Sequence, residues 1–203
     1  CDWNHYVRYP RNLTIDTGNS ILYASGIYGN GVVRNLSTNT NINCSWSGNL
    51  SGVTRYGSMA VDASGNNFYS INYNRMYRFT INQSSRCPNT NWSAQWSWGG
   101  SYAFGMDNHP SDDSIFYLNN YYAHRVEKIT LNSSKNNIQS RATAGRCCTG
   151  KSSSTNIRMY YPWGVSLDKT NNRVLSTTYI KMSVHVLDLN LGFLKEFGGA
   201  SST

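Results

Sequence analysis

The segment Tyr161–Gly198, with the sequence YPWGVSLDKTNNRVLSTTYIKMSVHVLDLNLGFLKEFG, shows the strand pattern of this chain most clearly. Its apolar residues occur in short runs rich in Val, Leu and Phe, and clusters of Asn, Asp, Lys, Ser and Gly separate these runs. Short runs of this kind between turn-forming residues are typical of strands in a meander and not of helices. The segment therefore predicts a small antiparallel sheet of three or four strands.

Three earlier segments share this pattern, so the chain is a repeat protein. They start with YPRNLTID, YGSMAVD and YAFGMDN, and together with the segment above they give repeats of residues 5–52, 53–100, 101–150 and 151–199. The polar residue that ends the first strand recurs after 46 residues, at Asp16, Asp62 and Asn108, and then after 60 residues at Asp168. The longer interval contains Gly145–Arg158, whose composition predicts a surface loop.

A period of 46 residues with three or four strands per unit is typical of a β-propeller, in which each unit is one twisted sheet called a blade. A β-sandwich also contains many short strands, but it has no reason to repeat its sequence. We therefore predict an all-β fold. Residues 1–203 would form a single propeller domain with four-stranded antiparallel blades, four of them in this chain.

The segment Tyr161–Gly198 resembles an NHL repeat in several motifs. These are Tyr-Pro before the first strand, the Asp that ends this strand, an Asn-rich turn, a basic residue followed by Val in the third strand, and a closing strand that ends in Phe-Gly. The other repeats match at Tyr9-Pro10, Ile15-Asp16, Val61-Asp62 and His124-Arg125-Val126. The resemblance implies a propeller of four-stranded blades. NHL propellers commonly have six blades, so these four either close as a ring or form part of a larger ring.

Composition limits the classes of partner. The chain has 26 Asn, 27 Ser and 15 Thr, yet 39% of it is hydrophobic, which suffices for a core. No stretch reaches the ~18 consecutive apolar residues of a membrane-spanning helix. The net charge is +8, but the basic residues occur singly along the chain. This spread is typical of a solvated surface and argues against a nucleic-acid partner.

Two other functions are open through the resemblance. Some NHL-like propellers are lyases that hold a central metal through histidines, and some NHL domains bind RNA through a basic face. The four histidines here are His5, His109, His124 and His185, and we expect the last two at equivalent positions at the start of a third strand. No metal-binding spacing occurs, and the repeated aspartates are expected to hydrogen-bond their turns. We predict a non-catalytic protein without metal or cofactor, with the lyase and the RNA-binding domain as alternatives.

Cysteines and glycosylation sequons favour an extracellular compartment. The cysteines lack zinc-knuckle spacing, so we predict disulfides of open connectivity among Cys1, Cys44, Cys87, Cys147 and Cys148. Seven Asn-x-Ser/Thr sequons are candidate glycosylation sites, at Asn12, Asn35, Asn43, Asn49, Asn82, Asn91 and Asn132. Composition alone would supply nearly as many. Three of them follow a third strand, at Asn35, Asn82 and Asn132, where a turn also favours Asn, whereas Asn12 lies on an inner strand and is the least suited.

Together these features predict a secreted or cell-surface module that binds or assembles, such as a surface, matrix or filament subunit. Its rims, dense in Tyr, Trp, Asn and Ser, would contact glycans or neighbouring protein subunits. The densest aromatic segment, TNWSAQWSWGG, contains Trp92, Trp96 and Trp98. We expect Trp96 and Trp98 to pack in the core. The expected partners are proteins or further copies of the chain, with covalent N-glycans and no membrane span.

Overall fold

The computed structural model describes residues 10–26, 30–46, 50, 57–100, 102–145, 157–180 and 182–198. These residues form sixteen strands, which make four sheets of four strands each. In every sheet the strands follow the order of the chain, and neighbouring strands pair antiparallel. The predicted fold class, a β-propeller of four-stranded antiparallel blades with four blades in this chain, is confirmed.

The strand bounds of the four blades are as follows. Blade 1 contains β1 (Pro10–Asp16), β2 (Ile21–Gly26), β3 (Gly31–Asn35) and β4 (Thr40–Ile42). Blade 2 contains β5 (Ser58–Val61), β6 (Asn67–Asn72), β7 (Arg75–Thr80) and β8 (Ala94–Ser97). Blade 3 contains β9 (Ala103–Asn108), β10 (Ile115–Asn120), β11 (Arg125–Leu131) and β12 (Ile138–Ala144). Blade 4 contains β13 (Pro162–Asp168), β14 (Arg173–Thr178), β15 (Ser183–Asp188) and β16 (Phe193–Gly198).

The chain divides into two compact units. Unit 1, Cys1–Ser97, carries blades 1 and 2, and unit 2, Trp98–Thr203, carries blades 3 and 4. The strands of each blade lie within one of the four sequence repeats. The single-domain organisation and the two ways of closing the ring stay predictions. The interior of the predicted Gly145–Arg158 loop lies outside the described residues.

In unit 1, blades 1 and 2 share an apolar core that includes Val33, Met59 and Phe68. Side chains opposite one another in an antiparallel pair share a face, so residues of β2 and β3 reach this core together. Tyr23 of β2 is fully buried and its hydroxyl donates to the carbonyl of Arg86, which follows β7 in the next blade, at 3.0 Å. Burial therefore leaves the phenol with a hydrogen-bond partner, and it raises the pKa of Tyr23 above its ordinary value.

Unit 2 repeats this arrangement. Its core joins the two blades through residues such as Val126, Val165 and Leu187. Tyr117 of β10 holds the position of Tyr23, and its hydroxyl donates to the carbonyl of Leu189, which follows β15, at 2.8 Å. Both units therefore use a buried tyrosine of the second strand to bind the turn after the third strand of the next blade.

The aspartates that recur at the end of the first strand organise the following turns, as the sequence predicts. In blades 1 and 4 the spacing Asp-x-x-Asn gives identical contacts. Asp16 accepts from the backbone and side-chain amides of Asn19, and Asp168 accepts from the same two groups of Asn171, at 3.1 and 2.7 Å in each case. Asp62 accepts from four donors within its own turn. These bonds occupy the carboxylates in local structure.

Candidate functional site

An aromatic surface covers one end of blades 3 and 4. We use this name for the side chains of Tyr102, Phe104, Tyr121, Tyr122, Tyr161, Trp163 and Tyr179. The exposed fractions of Tyr179, Tyr122 and Trp163 are 65%, 58% and 42%, and the other four side chains are half-buried. Contiguous exposed apolar side chains of this kind mark an interaction site.

The strand order explains why these residues meet. In an antiparallel hairpin the first strand begins where the second one ends. Ala103 at the start of β9 accordingly pairs with Asn120 at the end of β10, and Pro162 in β13 pairs with Thr178 in β14. Residues that precede the first strand and residues that follow the second strand therefore lie at the same end of each blade.

The repeat places tyrosines at both of these positions. The backbone amide of Tyr121, after β10, donates to the carbonyl of Tyr102, before β9, at 2.9 Å. In blade 4 the amide of Tyr179 donates to the carbonyl of Tyr161 at 3.1 Å. The sequence carries a signal for this surface, since every first-strand motif begins with a tyrosine, but only the strand pairing shows that the tyrosines after the second strands lie at the same end.

Trp163 is the centre of the surface. Its ring stacks on Phe104 of the neighbouring blade with centroids 4.5 Å apart and planes 8° apart. Tyr121 meets it edge-on at 5.8 Å, and Tyr179 lies 6.0 Å away on a tilted plane. Contacts on several sides fix the orientation of the indole, so that its exposed part offers a rigid apolar surface to a ligand.

The phenol groups of this surface lie close together. Burial raises the pKa of Tyr121 above its ordinary value, and the neighbouring phenols of Tyr161, Tyr122 and Tyr179 raise it further. Each phenol hydroxyl both donates and accepts hydrogen bonds. The surface therefore combines stacked rings with a group of hydroxyls, which suits a ligand that has apolar faces and many polar groups.

His124 closes one side of the surface. Its ring packs edge-on against Tyr161 with centroids 4.4 Å apart, and its Nδ1 accepts a hydrogen bond from the backbone amide of Tyr161 at 3.1 Å. Burial lowers the pKa of His124 below its ordinary value. A nitrogen that accepts a hydrogen bond belongs to the neutral imidazole. His124 is therefore a neutral positioning group for the start of blade 4.

Three charged side chains of the third and fourth strands of blade 3 are paired with one another. Glu127 in β11 is fully buried, and its carboxylate binds Arg125 at 2.8 Å and Arg141 at 3.0 Å. The side-chain amide of Asn120 also donates to Glu127 at 2.8 Å. Because both guanidinium groups are engaged by one buried carboxylate, they hold strands of blade 3 together, and the carboxylate offsets one of their two positive charges.

The predicted tryptophan segment separates into two environments. Trp96 and Trp98 are 7% and 0% exposed, so the expectation that they pack in the core is confirmed. Trp92 is 38% exposed and lies against Tyr77 with ring centroids 5.3 Å apart. The densest aromatic segment of the sequence is therefore mostly interior.

The expected equivalence of His124 and His185 is wrong. His124 lies in the turn before β11, whereas His185 lies within β15, opposite Ser176. His185 is buried, and its Nε2 lies 3.0 Å from the hydroxyl of Ser183. His109 is in the loop after β9, and His5 lies outside the described residues. Sequence alignment of the third strands missed the register, which only the strand pairing reveals.

The sequons that follow third strands act as turn residues. The side-chain oxygen of Asn35 accepts from the amides of Ser37 and Thr38, at 2.9 and 3.0 Å. Asn82 accepts in the same way from the amides of Ser84 and Ser85, whereas Asn132 accepts from the amides of Asn136 and Asn137, further along its turn. In blade 4 the same position is Asp188, which also caps its turn. The placement therefore follows from turn chemistry, and glycosylation of these sites stays a prediction.

The other sequons differ in how accessible the amide is. Asn12 donates its side-chain amide to the carbonyl of Gly57, which agrees with its being the least suited acceptor. Asn132 donates its amide to Asn136 at 2.9 Å. Asn43 and Asn91 are exposed, and Asn49 lies outside the described residues. Asn82 is exposed, and within the described part of the chain its side-chain nitrogen donates no hydrogen bond, whereas its backbone amide donates to the carbonyl of Cys87 at 2.9 Å.

One of the predicted disulfides is present. Cys44, after β4, is bonded to Cys87, after β7, and the bond joins blades 1 and 2. The remaining candidates, Cys1, Cys147 and Cys148, lie outside the described residues. Within the described ranges, no three side chains of His, Cys, Asp or Glu form a group that could hold a metal ion. No helix in the described part of the chain is long and apolar enough to cross a membrane.

Comparison with known proteins shows the fold alone. No protein-family model and no curated protein sequence matches the chain. Among solved structures, it is similar to a functionally unknown protein from Desulfotomaculum acetoxidans, with a TM-score of 0.61 and 14% identity over 93% of this chain and 56% of that one. It is also similar to Kuenenia stuttgartiensis hydrazine synthase, with a TM-score of 0.57 and 13% identity over 98% and 52% of the two chains. The chain spans about half the length of these proteins.

Proposed function

We propose that this chain is a non-catalytic, NHL-like β-propeller module of the extracellular space, and that it binds glycans through its aromatic surface. The observation that carries the proposal is the cluster around Trp163, in which exposed aromatic faces and phenol hydroxyls lie together. Sugars have apolar faces that stack on aromatic rings and hydroxyls that exchange hydrogen bonds with phenols. A rigid platform also reduces the entropy lost on binding.

Charge favours glycans over nucleic acid as the ligand. Nucleic-acid binding depends on cations that neutralise phosphates. Beside the aromatic surface, Arg125 is engaged by the buried Glu127, and in the same blade pair Lys169 binds Asn108 at 2.8 Å. These cations serve internal structure. An uncharged or weakly charged polyhydroxylated ligand fits such a surface better than a polyanion.

A binding panel tests the proposal. The purified chain is titrated with neutral polysaccharides built from glucose, N-acetylglucosamine, mannose and galactose, and with a homopolymeric RNA as the competing class. We expect measurable binding to at least one polysaccharide, and Trp163→Ala should weaken it at least tenfold, about 1.4 kcal/mol. Trp92→Ala is the matched control, because Trp92 has a similar exposed fraction and lies in unit 1.

Two outcomes would contradict this function. The first is no binding to any polysaccharide together with salt-sensitive binding to RNA, which would favour the nucleic-acid alternative. The second is binding that Trp92→Ala weakens and Trp163→Ala leaves unchanged, which would move the site to unit 1. The extracellular part of the proposal has its own test, the intact mass of protein from its native source before and after enzymatic removal of N-glycans. An unchanged mass would argue against glycosylation.

A further inference from the structure

A lysine, an asparagine and an aspartate meet where blade 3 joins blade 4. Lys169, in the turn after β13, places its Nζ 2.8 Å from the side-chain oxygen of Asn108, at the end of β9. The same Nζ lies 3.9 Å from a carboxylate oxygen of Asp107. Asn108 is 2% exposed, and the side chains of Lys169 and Asp107 are 28% and 20% exposed. The three groups are thus held together and largely shielded from water.

We propose that Lys169 and Asn108 form an intramolecular amide bond, with Asp107 as the proton carrier. The nucleophile is the Nζ of Lys169, and the acyl group is the side-chain carboxamide of Asn108. Nζ already touches the oxygen bonded to the carbon that it would attack. The bond would join blades 3 and 4 covalently within unit 2, and it is independent of glycan binding.

The step balances without an oxidant or a reductant. Asp107 takes a proton from the Lys169 ammonium, and the neutral amine attacks Cγ of Asn108. A new bond forms between Nζ and Cγ, Asp107 passes its proton to Nδ2, and the bond between Cγ and Nδ2 breaks so that ammonia leaves. The second proton, which Nζ loses as it becomes an amide N–H, is taken up by the carboxylate of Asp107 and then by the ammonia, which departs as ammonium. Proximity of this kind converts a very slow bimolecular reaction into an intramolecular one.

The surroundings favour these proton transfers. Burial raises the pKa of Asp107 above its ordinary value, and it outweighs the opposing effects of the Leu167 amide and the Lys169 charge. Asp107 therefore holds a proton more readily than an exposed aspartate. Its other oxygen accepts from the Leu167 amide at 2.8 Å, which fixes the carboxyl group. The leaving amide nitrogen of Asn108 donates to the carbonyl of His109 at 3.0 Å, which orients the carboxamide.

A second lysine and asparagine in the same blade pair provide an internal control. Lys128 Nζ donates to the side-chain oxygen of Asn190 at 3.4 Å, and this pair is exposed. Within the described part of the chain, no carboxylate lies at ion-pair distance from Lys128. The pair therefore has the two reacting groups without burial and without the proton carrier, and it should stay unlinked.

The intact mass of the purified chain tests the proposal. We expect a mass lower than that of the disulfide-bonded sequence by one ammonia, and a digest should contain one branched peptide that joins Lys169 to Asn108. Lys128 and Asn190 should appear only in linear peptides. The full mass of the uncrosslinked chain, with Lys169 and Asn108 both in linear peptides, would overturn the proposal.

Two variants separate the roles of the groups. Lys169→Arg keeps the positive charge but removes the nucleophile. Asp107→Asn keeps the shape of the side chain but removes the proton carrier. The intact mass of each variant should equal the mass calculated for its unlinked, disulfide-bonded sequence. Lys128→Arg is the matched control and should keep the linked mass. If the intact mass of Lys169→Arg is still lower than calculated by one ammonia, cyclisation of an asparagine explains the loss and the proposal fails. Loss of water with a link to Asp107 would equally overturn the assignment to Asn108. The wild-type mass decides the question even where a variant fails to fold.

Discussion

The two units of this chain hold their neighbouring blades together by partly different interactions. In each of them a buried tyrosine of one blade binds the turn of the next, Tyr23 in unit 1 and Tyr117 in unit 2. Unit 1 adds the disulfide between Cys44 and Cys87. In unit 2, the inner strands β9 and β13 are in close contact at Gly105, and Lys169 lies between polar groups of blade 3.

In the described part of the chain, the aromatic surface belongs to unit 2. Among the residues that the structure describes, the turn after β6 in unit 1 exposes Tyr73, whereas unit 2 gathers seven aromatic side chains at this end of its blades. Residues 27–29 and 51–56 of unit 1 lie outside the described residues. A covalent bond between Lys169 and Asn108 would give unit 2 the same kind of constraint that the disulfide gives unit 1. Rigid blades would then support the aromatic surface, since a preformed site loses less entropy on binding.

The largest expected effect is the loss of the disulfide. Replacing Cys44 and Cys87 by Ala opens a loop with a sequence separation of 43 residues, which should lower the free energy of unfolding by about 4 kcal/mol. Hydrogen exchange should show reduced protection of β2 and β6 in unit 1, with β10 and β14 unchanged. Equal loss of protection in both units would mean that the disulfide is not specific to unit 1.

The next effect comes from Gly105→Ala in unit 2. An added Cβ would lie 2.3 Å from the backbone nitrogen of Val165, where no flexible side chain can move aside. We expect a loss of about 3 kcal/mol in the free energy of unfolding. Gly18→Ala is the matched control, because its Cβ would meet only a side-chain oxygen of Asp16 at 3.6 Å. Denaturant unfolding that gives similar values for both variants would refute the close approach of β9 and β13.

A smaller effect is expected from the paired tyrosines. Tyr23→Phe and Tyr117→Phe each remove one hydrogen bond to a carbonyl and should each cost about 1 kcal/mol in thermal or denaturant unfolding. Tyr122→Phe, at an exposed position, should be neutral. If only one of the two substitutions lowers the free energy of unfolding, the two units are not stabilised by the same hydrogen bond.

The smallest effect is a pH dependence at His124. Because its pKa in the folded chain is lowered from the ordinary value of 6.5, the unfolded chain binds more protons just below this pH. Stability should therefore fall slightly as the pH drops below about 6.5, and it should be regained as the pH rises. Melting temperatures from about pH 7 to about pH 5 would show this against His124→Gln. An identical pH profile for the variant would mean that His124 does not cause the pH dependence of the melting temperature.

The fold could be predicted because the repeat places strand and turn residues at a fixed period. Asp16 and Asp168 indicated their turns correctly, since an Asp-x-x-Asn turn is a local structure. The core positions of Trp96 and Trp98 also followed from their neighbourhood in the sequence.

The candidate site could not be predicted in the same way. Phe104 and Trp163 are distant in sequence, and they stack only because two blades pack in one register. The same holds for Lys169 and Asn108, and for the mistaken equivalence of His124 and His185. A strand register depends on bulges such as the one between Pro162 and Val165, which periodicity does not report.

Covalent footprinting of the chain with and without the best-binding polysaccharide would show whether the aromatic surface binds glycans. The glycan-binding function predicts that the polysaccharide protects Tyr122, Trp163 and Tyr179 from modification, while Tyr73 and Trp92 in unit 1 keep their reactivity. Protection confined to unit 1, or unchanged reactivity at Trp163 under saturating polysaccharide, would contradict it.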